Sequence, residues 1–301
     1  MVWPGMMLLL ERLAPVREPT ALGDFEADTR VSGGDGRYTA TLVDDWAIWG
    51  PNGGYIASVA LRAAGAESAF SRPATFKCQF LAPGRFDAVD ITVQSIRRGR
   101  NAEALSVVLT QGDRTLLSAL AWTVPDVDEQ TPRMEHDFAP MPDVPPASEL
   151  MESREINERW GLEQHPFWEN FERWPVHWRP PEEREPTAPS FECWHRFVPQ
   201  PSFDCPFTDA ARSLLLIDTN GWPAAHRPYV DEQPYIAPNL DVAVQFHRSA
   251  RDSELLLCQS EAPVAAEGLI GTRGRVWDES GRLVASGSAQ LLVRPMPVLP
   301  S

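Results

Sequence analysis

This chain of 301 residues has little of what marks a secreted, membrane-spanning or nucleic-acid-binding protein. It has four cysteines, Cys78, Cys193, Cys205 and Cys258, with no CxxC pair. That usage excludes a disulfide framework or zinc ribbon and fits reduced, buried thiols in a cytoplasmic protein. No apolar run approaches the length of a membrane span. The opening MVWPGMMLLLERLAP holds only the short apolar run Met6–Leu10 with no basic residue before it, so no secretory signal is expected. Basic charge is also scarce. With 27 Lys and Arg against 42 Asp and Glu, the net charge of −15 argues against a general nucleic-acid binder and gives no attraction to anionic membranes. Any anionic ligand has to be held by a local basic patch. There is no GxSxG elbow and no GxxxxGK[ST] loop, and the histidines show no metal-ligand spacing. A serine hydrolase, a nucleotide enzyme and a metal centre are therefore unsupported.

What the chain does have is internal repetition. Residues 75–124 and 241–294 each read as four strands in succession, with Gln79-Phe80 falling on Gln245-Phe246 and Leu116–Ala119 falling near Leu283–Ser286. A mostly apolar helix precedes each set: Gly53–Ala66, with Asn52 as its N-cap, and Phe207–Asp218. Phe25–Val31 and Arg37–Val43 read as a hairpin around Gly33–Gly36, and Phe191–Val198 as the strand that opens the second half. Alternation puts Phe76, Cys78 and Phe80 on one face of a strand with Lys77 and Gln79 on the other. In the second copy Leu240, Val242, Val244 and Phe246 oppose Asp241, Ala243, Gln245 and His247. The expected organisation is a flexible extension over 1–24, a module over 25–125, a Trp- and Pro-rich linker or lid over 126–190, and a second module over 191–296. Five of the eleven tryptophans fall between Trp160 and Trp194, and either role for the linker predicts that these indoles are buried.

Three motifs carry a resemblance. The run Asn52-Gly53-Gly54-Tyr55, the turn Arg98-Gly99-Arg100, and Asp241 followed by Phe246-His247-Arg248 resemble the acyl-CoA thioesterase II group and its wider thioesterase-like superfamily. The likeness covers roughly residues 25–125 and 190–295. It implies an α+β double hotdog, two tandem antiparallel sheets each wrapped around a central helix. It also implies hydrolysis of acyl-CoA to free acid and CoA in lipid metabolism, without a metal or redox cofactor. Acyl-CoA would be the partner of a homo-oligomer that binds neither nucleic acid nor membrane.

Residue by residue, the resemblance puts Asp241 at the position of the family's water-orienting Asp and gives the helix-start amides of Gly53 and Gly54 the task of polarising the carbonyl. Asn52 and Tyr55 would line the substrate, and Arg97, Arg98 and Arg100 would hold its phosphates. The family's Gln falls on Ala289. Gln290 comes one residue later and so points to the opposite face of a regular strand, and the supporting hydroxyl position falls near Ala262-Pro263. Those departures leave a non-catalytic acyl-CoA binding protein as a second reading. A third is hydration of an enoyl thioester, which needs a His near an acid. His247 shares a strand face with Asp241 but lies roughly 20 Å along the strand.

Overall fold

A computed structural model describes residues 22–128, 131, 134–231 and 234–295. Most of the expected N-terminal extension lies outside the described residues, as does Met296 at the end of the second module. The first element among the described residues is α1, Phe25–Asp28, a helical turn in place of the predicted strand. Asp24 caps it by accepting the Ala27 N–H at 3.0 Å, and Phe25 turns into an aromatic cluster with Trp46, Phe197 and Phe203. Local capping and aromatic burial thus override the strand-like composition. The predicted hairpin forms from β1, Ser32–Gly34, and β2, Arg37–Thr41, and its turn residues Asp35 and Gly36 both have positive φ.

The first long helix, α2, spans Gly53–Glu67 and is buried on nearly every side. After it come β3, Arg72–Phe80; β4, Ala88–Arg98; β5, Glu103–Gln111; and β6, Arg114–Val124. The second half repeats the order with β8, Ser190–Phe197; α4, Pro206–Thr219, and its short continuation α5, Gly221–His226; then β10, Asn239–Phe246; β11, Leu255–Ala266; β12, Leu269–Asp278; and β13, Leu283–Leu292. Two short strands, β9, Tyr235–Ile236, and β14, Arg294–Pro295, pair with each other.

The sheets of the two halves are joined. β3 pairs antiparallel with β10, Cys78 opposite Val242 and Lys77 opposite Ala243, and with β7, Phe171–Pro175, at its end a single sheet of twelve strands runs β1-β2-β4-β5-β6-β3-β10-β13-β12-β11-β8-β7. Phe76, Cys78, Val242, Val244, Ala285 and Ala289 point from its centre into one continuous core. Within that core α2 and α4 lie against each other and run antiparallel, with Gly54 against Leu215 and Asp218 at one end and Gly65 against Phe207 at the other.

The segment between the halves is structured. It contains α3, Ser153–Trp160, and β7, Phe171–Pro175, which pairs with β8 as the last strand of the sheet. Phe167 and Phe171 are wholly buried against Trp46, and Asn170 accepts the Gly23 N–H at 2.8 Å. Of the five indoles, Trp194 is buried, while Trp160, Trp168, Trp174 and Trp178 are half-covered.

Gly54 sets the spacing of the two helices. A Cβ there would stand 2.9 Å from the Leu215 Cα and 3.1 Å from the Asp218 Cβ. Gly54→Ala should therefore push the backbones apart, costing about 1–3 kcal/mol and lowering Tm by several degrees. Gly50→Ala, whose Cβ would meet nothing closer than 3.8 Å, serves as the control. Equal melting curves for the two variants would show that the helix seat is slack.

Candidate active site

Where the start of α2 meets the end of α4, a carboxylate lies against backbone amides. Asn52 caps α2 by accepting the Tyr55 N–H at 3.0 Å, and its carbonyl accepts the Ile56 N–H. The Gly54 amide donates to Asp218. That leaves the Gly53 amide as the remaining donor of the first turn. A Cβ on Gly53 would stand 3.2 Å from Asp218 Oδ2 and 3.1 Å from the Phe80 ring, so glycine at this position lets the helix start approach the carboxylate closely. Asp218 Oδ1 accepts from Asn239 Nδ2 at 2.6 Å, and the same Nδ2 donates to the Asp218 carbonyl at 2.8 Å.

Asp218 is 5% exposed. Burial raises its pKa to about 6, against the opposing pull of the Asn239 and Gly54 hydrogen bonds. A carboxyl group with that pKa, fixed by two hydrogen bonds and buried beside a helix start, is suited to taking a proton near neutral pH. The positive end of the α2 dipole favours its ionised form, and the adjacent amides favour any developing negative charge.

The duplication explains why this arrangement occurs once. One numbering offset relates the two helices: Gly53 corresponds to Pro206, Gly54 to Phe207, and Gly65 to Asp218. At the opposite end of the helix pair the Phe207 ring packs onto Gly65, so the place of the amide cradle is filled and the place of the acid is empty of side chain.

The structure separates the residues singled out by the sequence. Asp241 stands opposite Gln79 and Gln290, on the face turned away from α2 and α4, and its Oδ1 accepts the Gln290 N–H at 3.0 Å. A bulge between Asn239 and Asp241 breaks the alternation there. In a regular strand the two would share a face, but the extra residue pairs Asn239 with the buried Leu291 and turns it inward to Asp218. Ala289 does face the helices, and Thr272, across from it, donates its hydroxyl to the Ala289 carbonyl. Tyr55 is wholly buried, stacked on Trp46, with its hydroxyl near Asp28 and Thr41 carbonyls. Packing accounts for it. Arg97, Arg98 and Arg100 are exposed at the β4–β5 turn, where Arg98 pairs with Glu103 at 2.8 Å. Glu103 in turn accepts the Ala69 N–H just past the end of α2, so the cluster lies a helix length, roughly 20 Å, from Gly53.

In the sequence Asp218 is the last residue of a predicted helix, and an acid closing an apolar helix sits at the negative end of its dipole, which disfavours it unless something else holds the charge. A direct comparison follows from the placement. Asp241→Asn keeps an oxygen for the Gln290 N–H, so turnover should stay within a few-fold of wild type; loss of turnover with the fold intact would return the base to Asp241.

Family models match most of the chain. That for the acyl-CoA thioesterase N-terminal domain matches residues 42–124, and that for the C-terminal domain matches residues 137–293. No curated protein matches the sequence. Among solved structures, the tesB protein of Mycobacterium avium subsp. paratuberculosis is 24% identical at a TM-score of 0.69, covering 91% of this chain and 100% of its own. An acyl-CoA thioesterase II from Mycobacterium marinum is 20% identical at 0.72, covering 90% and 98%. A protein of unknown function with a hot dog fold from Alicyclobacillus acidocaldarius is 18% identical at 0.75, covering 92% and 100%. At these identities the likeness to the solved structures is one of fold.

Proposed function

We propose, on the premise that the chain belongs to the acyl-CoA thioesterase family, that it hydrolyses acyl-CoA to free acid and coenzyme A, with Asp218 as the base. The joined sheet around two antiparallel helices supports a double hotdog in which each half contributes one part of a single site. The first half supplies the start of α2 and the second supplies Asp218 and Asn239.

In this reading a water beside Asp218 loses its proton to the carboxylate as its oxygen attacks the thioester carbonyl. The Gly53 end of α2 stabilises the oxygen on which charge develops, the C–S bond breaks, and the proton taken by Asp218 passes to the departing sulfur, which leaves as the thiol. Asn239 orients the base by holding Oδ1 and leaves the chemistry to Asp218. The observation that carries the reading is the buried carboxyl of Asp218, its pKa raised to about 6, lying against the glycine start of α2.

Release of free thiol from a panel of acyl-CoAs, followed with a thiol reagent, tests it. Hydrolysis of at least one chain length is expected. A protein that binds these thioesters without releasing thiol would be an acyl-CoA binding protein instead.

A further inference from the structure

Past α5 the chain reaches Arg227, which lines a surface cavity of about 470 Å³ together with His177, Trp178, Arg179, Thr187 and Glu192. Its charge pattern is unusual for a protein of net charge −15. Arg227 donates to the His177 carbonyl at 3.2 Å and makes no ion pair among the described residues. Burial lowers its pKa, Glu192 opposes that, and the neighbouring guanidiniums of Arg179 and Arg184 lower it further. The acid in the lining, Glu192, is buried and already accepts from Gln259 at 2.9 Å and from Ser190. Arg179 has only the exposed Glu185, at 3.0 Å, as partner. Two guanidiniums, Arg179 and Arg227, therefore line the cavity opposite one acid that is already engaged, also by His177 at 3.8 Å, and the charge of Arg184 nearby adds to theirs, a balance suited to a multiply charged anion. The aromatic element is beside it: Trp178 packs on Trp160 with ring centroids 4.4 Å apart, and Arg159 lies over the Trp160 ring.

The cavity is also on the right side of the molecule. Arg227 follows Asp218 by way of α5, roughly 14 Å at helical rise, whereas the Arg98 cluster is at the far end of α2. A ligand with its phosphates in this cavity and an extended arm could present its other end to Asp218.

We propose that this cavity holds the phosphorylated nucleotide end of the thioester substrate, with Arg179 and Arg227 binding phosphate oxygens and Trp178 lying against the base. The assignment of the ligand rests on the thioesterase reading above. Phosphate recognition by paired guanidiniums and sequence-tolerant stacking of a base on an indole are both common chemistry.

The test separates the subsite from the reaction. Adenosine 3',5'-bisphosphate, the nucleotide of coenzyme A without its arm, is titrated into the intact protein by calorimetry. Binding is expected in the wild type, about 10-fold weaker in Arg179→Gln/Arg227→Gln, and tighter in Glu185→Gln, which frees Arg179. In the double variant KM for acyl-CoA should rise by a similar factor with kcat unchanged, while an acyl-pantetheine lacking the nucleotide is unaffected. If the double variant fails to fold, Arg179→Gln alone, on the surface, carries the same comparison. Absence of nucleotide binding to the wild type up to about 1 mM, or equal effects on acyl-CoA and acyl-pantetheine, would overturn the proposal. Nucleotide binding that the arginine variants abolish, in a protein that cleaves no thioester, would uphold the subsite and remove the thioesterase reading.

Discussion

Asp218→Asn is expected to lower acyl-CoA turnover by about 10²- to 10⁴-fold, the range for removing a general base, while leaving the protein as stable as the wild type or more so. The two halves of that expectation have one cause. An unfolded Asp ionises near pH 4, but burial holds the Asp218 carboxyl to about 6. Between those values the native state keeps a proton that the unfolded state has released. Stability from this group is therefore present at low pH, falls as pH rises through the window, and above about 6 the buried charge costs the fold about 3 kcal/mol. Asn removes that charge and keeps the shape, and its side-chain oxygen still accepts from Asn239 Nδ2. For the wild type the same titration predicts that kcat/KM rises with pH and levels off above about 6, as the base loses its proton. A folded Asn variant with wild-type turnover, or an acid limb that persists unchanged in that variant, would remove Asp218 from the reaction.

The repeat was legible because its signals are local. Glycine and alanine in Gly53–Ala66 describe a helix that can be buried on every side, and the alternation around Cys78 and Val242 fixes which residues face inward. The joining of the two sheets was not. The edges of β3 and β10 carry no mark of being each other's partner, since backbone pairing is nearly blind to side-chain identity once the inner face is apolar. The inward turn of Asn239 was hidden for a related reason. Strict alternation puts Asn239 and Asp241 on one face, and only the bulge, invisible in composition, turns Asn239 to Asp218 and leaves Asp241 accepting the Gln290 N–H outside. Arg179 and Arg227 are distant in sequence and come to one cavity only in the fold, whereas Arg97, Arg98 and Arg100 are a cluster by sequence adjacency alone.

The largest stability effect should come from the other end of α4. Asp209, in its first turn, pairs with Arg212, and its Oδ2 accepts Ser249 Oγ and the Ala250 N–H, each at 2.9 Å. Arg212 is fully buried and donates to the carbonyls of Pro201, Ala250 and Ser253, tying α4 to the two loops that flank it. Asp209→Ala leaves that guanidinium in the core without a counter-charge and strips two further donors of their acceptor. The expected loss is about 3–5 kcal/mol, a fall in Tm on the order of 10 °C. The pair is not ideal, because Arg212 Nε is buried without a partner. Replacing both residues with apolar ones, Asp209→Leu with Arg212→Met, should therefore recover most of the loss. Since α4 carries Asp218 at its far end, the single variant should also lose turnover below its melting temperature, as the seat of Asp218 against Gly54 loosens, and the double replacement should regain it. A single variant that melts within a degree or two of wild type would show that the helix is held by its apolar contacts alone.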